Sequence, residues 1–328
     1  MKIFLTGATG YLGQAVARNL NIAGHRLRCL VRRASDASKL PEDAEIVQGS
    51  LTDSAFLAAG VQGCDAVCHL AAFVQNWAAD RRLFDLVNIE ASERLARIAM
   101  DLKCARFLYV SSFMALGPSP GQEPAGEELC HPGPPYRNDY ERSKALALDR
   151  LERLAVEGLP LITVLPGVLY GPGAATAGNH VSAVIRQLRA KQIPGLLGNG
   201  SQLWTYTYIE DAAAGVLAAL EQGRIGERYL LGGPVLSMGE FARRVSVLAQ
   251  CPEPRRRIPL WVGWLQGALE EMWAVFSGRT PAITRGVVNV YRRNWAFTSE
   301  KAMRELGYTL TDFDTGLKSL LRSLGEES

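Results

Sequence analysis

Three groups of residues in this 328-residue chain have side chains and spacings suited to chemistry. Tyr140 and Lys144 stand four apart in Tyr-Glu-Arg-Ser-Lys. On a helix that spacing puts a phenol and an ammonium on one face. A free tyrosine titrates near ~10 and is a poor acid or base at neutral pH. A nearby cation favours the phenolate and brings the group toward the working range. Ser111 and Ser112 follow the apolar run 106–110. At the carboxyl edge of a parallel sheet, a serine hydroxyl could donate to a substrate carbonyl and orient it. The third group is Thr6-Gly7-Ala8-Thr9-Gly10-Tyr11-Leu12-Gly13, spaced G-x2-G-x2-G between an apolar run and a helical pattern. Glycine there permits a tight turn, close approach of a pyrophosphate to backbone N–H groups, and close packing of helix on strand. The free N–H groups at the helix start then face the phosphates.

The elements that must hold these groups are readable as periodicity. Strands are predicted at 2–6, 27–31, 44–47, 66–70, 106–110 and 161–165. Helices are predicted at about 12–20, 83–101 and 139–157, and Thr52 or Asp53 is expected to cap a short one. Strands alternating with helices imply right-handed crossovers and a parallel sheet covered on both faces. Beyond Pro166 come helices at 180–191 and 210–222, a strand at 204–208, and a last strand of the main sheet at 228–231. Ser237 and Glu240 match a capping box opening another helix. The tail 258–325 reads as helical with short strands. The expected class is α/β: a Rossmann-type doubly wound parallel sheet with a smaller, mostly helical C-terminal substrate subdomain. Residues 1–170, with 204–233 returning to them, would form the nucleotide-binding domain. Residues 171–203 and 234–328 would form the substrate subdomain.

Composition narrows the function. Thirty-six Lys and Arg against 33 Asp and Glu leave a formal charge of +3, and apolar residues make up 48%. That surplus builds no basic stripe for nucleic acid. No stretch reaches the ~18 uninterrupted apolar residues of a spanning helix, and the N-terminus does not read as a signal segment. The six cysteines complete no zinc set and read as reduced thiols of a cytoplasmic protein. At the end of the second strand an acid would bind ribose hydroxyls and repel a 2′-phosphate. Arg32 and Arg33 stand there instead, with Lys39 beyond. Guanidinium binds phosphate in bidentate fashion, so NADP(H) is favoured over NAD(H).

Further motifs join these: His69-Leu70-Ala71-Ala72, Asn88 and Pro166-Gly167-Val168-Leu169-Tyr170-Gly171-Pro172. With the glycine turn, the serine pair and the Tyr140–Lys144 pair, the chain resembles the extended short-chain dehydrogenase/reductase superfamily over nearly its whole length. Within it the chain is similar to the dihydroflavonol-reductase-like and 3β-hydroxysteroid-dehydrogenase-like branches. The resemblance implies that Tyr140 acts as general acid in ketone reduction and as base in reverse. Lys144 would hold the nicotinamide ribose and lower the tyrosine pKa. Ser112, with four residues between it and Gly117, would polarise the carbonyl. Asn88 would support the site structurally. Gly7, Thr9, Gly10, Tyr11, Leu12, Gly13, Arg32, Lys39, Ser50, Leu51, Leu70, Ala71, Ala72, Pro166, Gly167 and Val168 would contact the cofactor. Ser50 stands where many members have Asp, and Leu165 where many have Arg.

Bulky side chains fall in the loops expected to shape the substrate pocket: Phe73, Trp77, Phe113, Met114, Tyr136 and Trp204. They suit a hydrophobic or aromatic ketone. Arg292 and Arg293 are the counter-indication, since they could clamp a phosphate or carboxylate. The main expectation is therefore an NADPH-dependent reductase or dehydrogenase. Its rivals are a nucleotide-sugar epimerase or dehydratase, and a non-catalytic NADP(H)-binding sensor or assembly protein. Residues 261–276 are amphipathic at helical spacing. Glu270 and Glu271 on the polar face weigh against membrane contact, so a lid or a packed subdomain helix is the better reading and peripheral membrane contact a minor one. The helices at 83–101 and 139–157 are candidates for a homodimer interface.

Overall fold

Apolar β-branched runs bounded by glycine, proline or charged turns become the strands of this chain, and 3.6-residue apolar periods become its helices. A computed structural model describes residues 1–32, 34–174, 176 and 178–326; Arg33 lies outside them. The first half runs β1 (Lys2–Thr6), α1 (Tyr11–Ile22), β2 (Arg26–Val31), β3 (Glu45–Gln48), α2 (Ser54–Val61) and β4 (Ala66–His69). There follow α3 (Arg82–Phe84), a π-helical turn (Asp85–Glu90), α4 (Ala91–Asp101), β5 (Arg106–Val110), α5 (Asp139–Val156) and β6 (Leu161–Pro166). Next come β7 (Val168–Tyr170), α6 (His180–Arg189), β8 (Leu196–Leu197), β9 (Leu203–Tyr208), α7 (Ile209–Gln222) and β10 (Arg228–Leu231). The tail holds β11 (Val235–Ser237), α8 (Met238–Leu248), β12 (Arg257–Ile258), α9 (Leu260–Ser277), α10 (Arg285–Tyr291), α11 (Glu300–Leu306) and α12 (Phe313–Glu326).

Seven strands make one parallel sheet in the order β10-β6-β5-β4-β1-β2-β3. The strand order reverses at β1, between β4 and β2, and a crevice opens beyond the carboxyl ends of strands at such a point. One face is covered by α1 and α7, the other by α2, α4 and α5. Both clusters are closed by Leu, Ile, Val and Ala, including Ile3, Leu5, Val16, Leu20, Leu57 and Leu151, which have no solvent exposure. A third cluster joins the segment after β5 to the C-terminal helices through Phe113, Trp204, Trp295 and Phe297.

Three expectations need adjustment. The helix predicted over 83–101 is interrupted by the π-helical turn. A bulge inserts one residue per turn without breaking the apolar run, so periodicity alone does not reveal it. The strand predicted at 204–208 does not join the main sheet. As β9 it pairs with β11 and β7 in a separate three-stranded sheet, while α7 and β10 do return to the main one. The residues 261–276 also face opposite to the expected way. Helix α9 packs through Gly263, Gly267 and Ala274, and its bulky apolar side chains point outward. Glu270 and Glu271 accept from the backbone N–H groups of Ala282, Ile283 and Arg285, so they line the α9–α10 turn. No helix among the described residues is long and apolar enough to cross a membrane. Capping follows the local rules. Asp53, not Thr52, accepts from Ala55 N at 2.9 Å to start α2, and Ser237 accepts from Glu240 N at 3.1 Å to start α8.

Candidate active site

The glycine turn sits at the switch point. Gly7 ends β1 with φ +76°, a conformation that favours glycine. A Cβ on Gly7 would lie 2.6 Å from Ala71 N, and one on Gly13 would lie 1.9 Å from Gly7 O. The turn and α1 are therefore packed to a tolerance only hydrogen satisfies. Gly10 caps α1 in an extended conformation, and no acid occupies the first turn of that helix. The α1 N-terminus is thus left electrostatically suited to an anion. Tyr11 donates to Gly171 O at 2.7 Å and ties the turn to the segment after β7. Thr9 accepts from Gln14 through its carbonyl, and Leu12 is buried in the sheet-facing cluster.

Around this turn, Leu70, Ala71 and Ala72 follow β4 and are half-buried, and Leu70 N donates to Thr6 O at 3.1 Å. Gly167 N donates to Thr207 Oγ1 at 3.0 Å, with Pro166 and Val168 on either side at the end of β6. Arg32 is exposed at the end of β2, and Lys39 is exposed at the end of the 3-10 turn 34–39. Ser50 and Leu51 follow β3, and the Ser50 hydroxyl is engaged with Thr52 Oγ1 at 2.8 Å. A dinucleotide fits this donor set: a cradle that a methyl group would fill, a bare helix N-terminus, and no carboxylate at the end of β2.

Beside the cradle, at the carboxyl end of β5, three predicted side chains come together. Ser112 is buried and caps the 3-10 turn Phe113–Leu116, accepting from Met114 N at 3.3 Å. Its hydroxyl lies close enough to the Tyr140 phenol to favour the phenolate. Ser111 lies against Tyr109 instead. Asn138 caps α5 by accepting from Glu141 N at 2.8 Å, which sets Tyr140 in the first turn and Lys144 one turn on. Lys144 Nζ donates to Val110 O at 3.2 Å and stands 5.1 Å from the centre of the Tyr109 ring. Burial pushes the Tyr140 phenol up to about 12, against the lowering effect of the Ser112 hydroxyl. Burial pushes the Lys144 ammonium down to about 7.

The Lys144 shift makes a stability prediction. An unfolded lysine titrates near ~10.4. Between that value and about 7, the unfolded chain holds one more proton than the folded one at this site. Stability must then rise with pH across the window, by at most about 1.4 kcal/mol per unit from this group. Chemical denaturation of the cofactor-free protein at pH 7 and pH 10 is expected to give a gain that Lys144→Met lacks. Equal gains in both proteins would contradict the assignment.

A buried hydrogen-bond chain, which sequence reasoning did not predict, connects cradle and catalytic helix. Ser92 Oγ donates to Asn88 O at 2.7 Å, so it must accept from His69 Nε2 at 2.9 Å. His69 Nδ1 then accepts from Thr6 Oγ1 at 2.6 Å, and Thr6 Oγ1 accepts from Ala71 N at 3.2 Å. Burial and the Lys144 charge push His69 down to about 3, which keeps the ring neutral and the direction of this chain fixed. Asn88, in the π-helical turn, accepts from Phe73 N at 2.7 Å and donates to Ser143 Oγ at 2.9 Å. Ser143 in turn donates to Tyr140 O at 2.9 Å. The legible signal was the polar residue ending each of two apolar strands, Thr6 and His69, because buried polar groups must find partners.

The predicted pocket residues divide. Phe73 and Trp77 are half-buried in the loop after β4, with Phe73 edge-on to Phe84 at 4.9 Å. Tyr136 is half-buried beside His131. Phe113 and Trp204 are instead core residues: Phe113 is 3% exposed and packs on Trp204, Trp295 and Phe297. Met114 is buried in the same cluster. Arg292 and Arg293 are exposed at the end of α10.

The chain is similar to known proteins along nearly its whole length. The model of the NAD dependent epimerase/dehydratase family matches residues 3–232. The "Sterol demethylase protein B" of Methylococcus capsulatus is 29% identical over 95% of this chain and 94% of its own. The "4-hydroxy-2-methyl-3-oxo-4-farnesyl-3,4-dihydroquinoline-1-oxide ketoreductase" of Stigmatella aurantiaca is 28% identical over 94% of this chain and 92% of its own. The crystal structure of gox2253 superposes with a TM-score of 0.81 at 28% identity, covering 99% of this chain and 98% of that one. The chain belongs to the NAD-dependent epimerase/dehydratase family of extended short-chain dehydrogenases/reductases and is an NAD(P)-dependent oxidoreductase.

Proposed function

We propose that the protein interconverts a ketone and an alcohol on a hydrophobic small molecule, using NADPH in preference to NADH. The observation that carries this reading is the convergence of Ser112, Tyr140 and Lys144 beside the glycine cradle. When bound, the nicotinamide supplies the hydride in reduction and accepts it in oxidation. The backbone of residues 7–13 holds the pyrophosphate at the α1 N-terminus. Leu70, Ala71, Ala72 and the backbone of Gly167 and Val168 line the cofactor, and Lys144 holds its nicotinamide ribose. Ser50 and Leu51 flank the adenine end.

The residues of the chain then divide the proton chemistry. Ser112 donates to the substrate carbonyl oxygen and fixes its orientation. Tyr140, held as the neutral phenol by burial, is already in the protonation state an acid needs, and it delivers its proton to the same oxygen. Lys144, one helical turn away, stabilises the phenolate left behind once the ammonium form is populated. The chain through Asn88 and Ser143 holds the first turn of α5 in place. Phe73, Trp77 and Tyr136 give the substrate an apolar and aromatic surround, and Phe113, Met114 and Trp204 back it from the core. Relatives named for a sterol and for a farnesylated ring ketone support a substrate of that character. Residues 1–170 with α7 and β10 serve the cofactor, and the remaining C-terminal elements serve the substrate.

The direct test offers NADPH with a panel of aromatic ketones, steroids, aldehydes and UDP-sugars. Consumption of NADPH is expected with one or more hydrophobic ketones. Turnover of UDP-sugars without net NADPH consumption would favour an epimerase. Cofactor preference has its own check. Arg32→Ala is expected to raise KM for NADPH about tenfold or more, the scale of one charge-assisted phosphate contact, with little change for NADH. Equal effects on both cofactors would refute the role of Arg32.

A further inference from the structure

We propose that α9 is a lipid-docking helix that seats the protein on an anionic phospholipid bilayer surface. Helix α9 touches the rest of the protein through its smallest residues. A Cβ on Gly267 would lie 2.7 Å from Arg285 N, so the α9–α10 contact leaves no room for a larger side chain. About half the helix circumference therefore faces outward. That half carries Trp261, Trp264, Leu265, Leu269, Met272, Trp273, Val275 and Phe276. Trp261 is 69% exposed, Trp273 65% and Phe276 80%. The patch is on the order of 10³ Å², above the ~300–600 Å² of the largest patch on a typical monomer. Tryptophan-rich apolar faces of this kind lie in the plane of a membrane interface and do not cross it.

Charge selects the occupant. The two acids of the helix are consumed in the α9–α10 turn: Glu270 holds the Ala282 and Ile283 N–H groups, and Glu271 holds the Arg285 backbone and guanidinium. Their inward placement removes the reason for expecting no membrane contact. The outer rim is basic at both ends, with exposed Arg255, Arg256 and Arg257 before the helix and exposed Arg279 after it; Glu253 is the one exposed acid between 251 and 285. A second copy packed on this face would set arginines against arginines in either helix direction. An anionic bilayer meets both ends with opposite charge, and each arginine near its surface adds attraction. The face is also close to the catalytic helix, since Gly286 of α10 packs against Asn138, two residues before Tyr140. If the proposed hydrophobic substrate is correct, docking brings the site to where such a molecule dissolves; the docking itself does not depend on that reading.

The test is co-sedimentation of the full chain with vesicles of phosphatidylcholine alone and of phosphatidylcholine with phosphatidylglycerol. Binding to the anionic vesicles is expected, about tenfold or more weaker with phosphatidylcholine alone and weakened by salt. Trp261→Glu/Trp273→Glu/Phe276→Glu is expected to abolish it, with circular dichroism and NADPH binding unchanged. Should that triple variant misfold, Arg255→Gln/Arg256→Gln/Arg279→Gln is expected to lose about a hundredfold in anionic-vesicle binding on its own. No binding to either vesicle, or equal binding to both, would overturn the proposal. So would a wild-type dimer that the triple variant converts to monomer, because a second copy would then cover the face.

Discussion

Tyr140→Phe is expected to lower kcat by about 10³-fold, within the ~10²–10⁴-fold range of a positioned acid or base, with NADPH affinity within about twofold of wild type. The substitution removes one oxygen and keeps the ring that packs against the third cluster. The lost oxygen is the one that faces Ser112, so the change falls on the proposed proton donor and on little else. Without it, the carbonyl oxygen must take its proton from water, a weaker acid that the site does not position. Burial holds the phenol at about 12, so neutral solution contains it as the acid, and the reductive direction should be fast there. The alcohol-oxidising direction needs the phenolate, and its rate should climb as pH rises toward that value. Steady-state kinetics in both directions with fluorescence titration of NADPH checks this. Turnover retained by the phenylalanine variant would exclude the mechanism.

Gly13→Ala is expected to abolish dinucleotide binding and to destabilise the fold by about 3 kcal/mol. The added methyl would stand 1.9 Å from Gly7 O and 2.8 Å from Gly7 C, both backbone atoms that no rotamer change can clear. Helix α1 must move off the turn, and with it Val16 and Leu20, which are fully buried against the sheet and α7. Displacing α1 also turns its free N–H groups away from the pyrophosphate position. Gly121→Ala is the control. Its Cβ would meet nothing closer than 4.0 Å, and it should stay within ~0.5 kcal/mol of wild type. Urea unfolding and NADPH titration of the two variants separate these outcomes; normal binding by Gly13→Ala would contradict the cradle.

What was legible in the sequence depended on how local its cause was. The spans of β5 and β10 follow from short apolar runs with turn residues on both sides, and they form where expected. The i, i+4 spacing of Tyr140 and Lys144 fixes a shared face whatever the rest of the chain does. Less local features were not readable. Phe113 and Trp204 have the same chemistry whether they line a pocket or fill a core. What decides is contact with Trp295 and Phe297, which only the folded chain brings beside them. The bulge before α4 kept its apolar pattern, and Asn88 within it bonds to Phe73 and Ser143 on two other segments that only the folded chain brings near. For α9, periodicity showed an apolar face but not which way it turns. The small stripe Gly263, Gly267 and Ala274 was the missed signal, because a helix approaches its neighbour most closely over its smallest residues.

The most direct measurement uses NADPH carrying two deuterium atoms at nicotinamide C4, a ketone that the panel assay has identified, and mass spectrometry of the product. Transfer of one deuterium to the carbinol carbon, with a slower rate for the labelled cofactor and a rate of labelled-product formation about 10³-fold lower in Tyr140→Phe, is the predicted result. Product formed without label from the cofactor, or label transfer undiminished in Tyr140→Phe, would contradict the account.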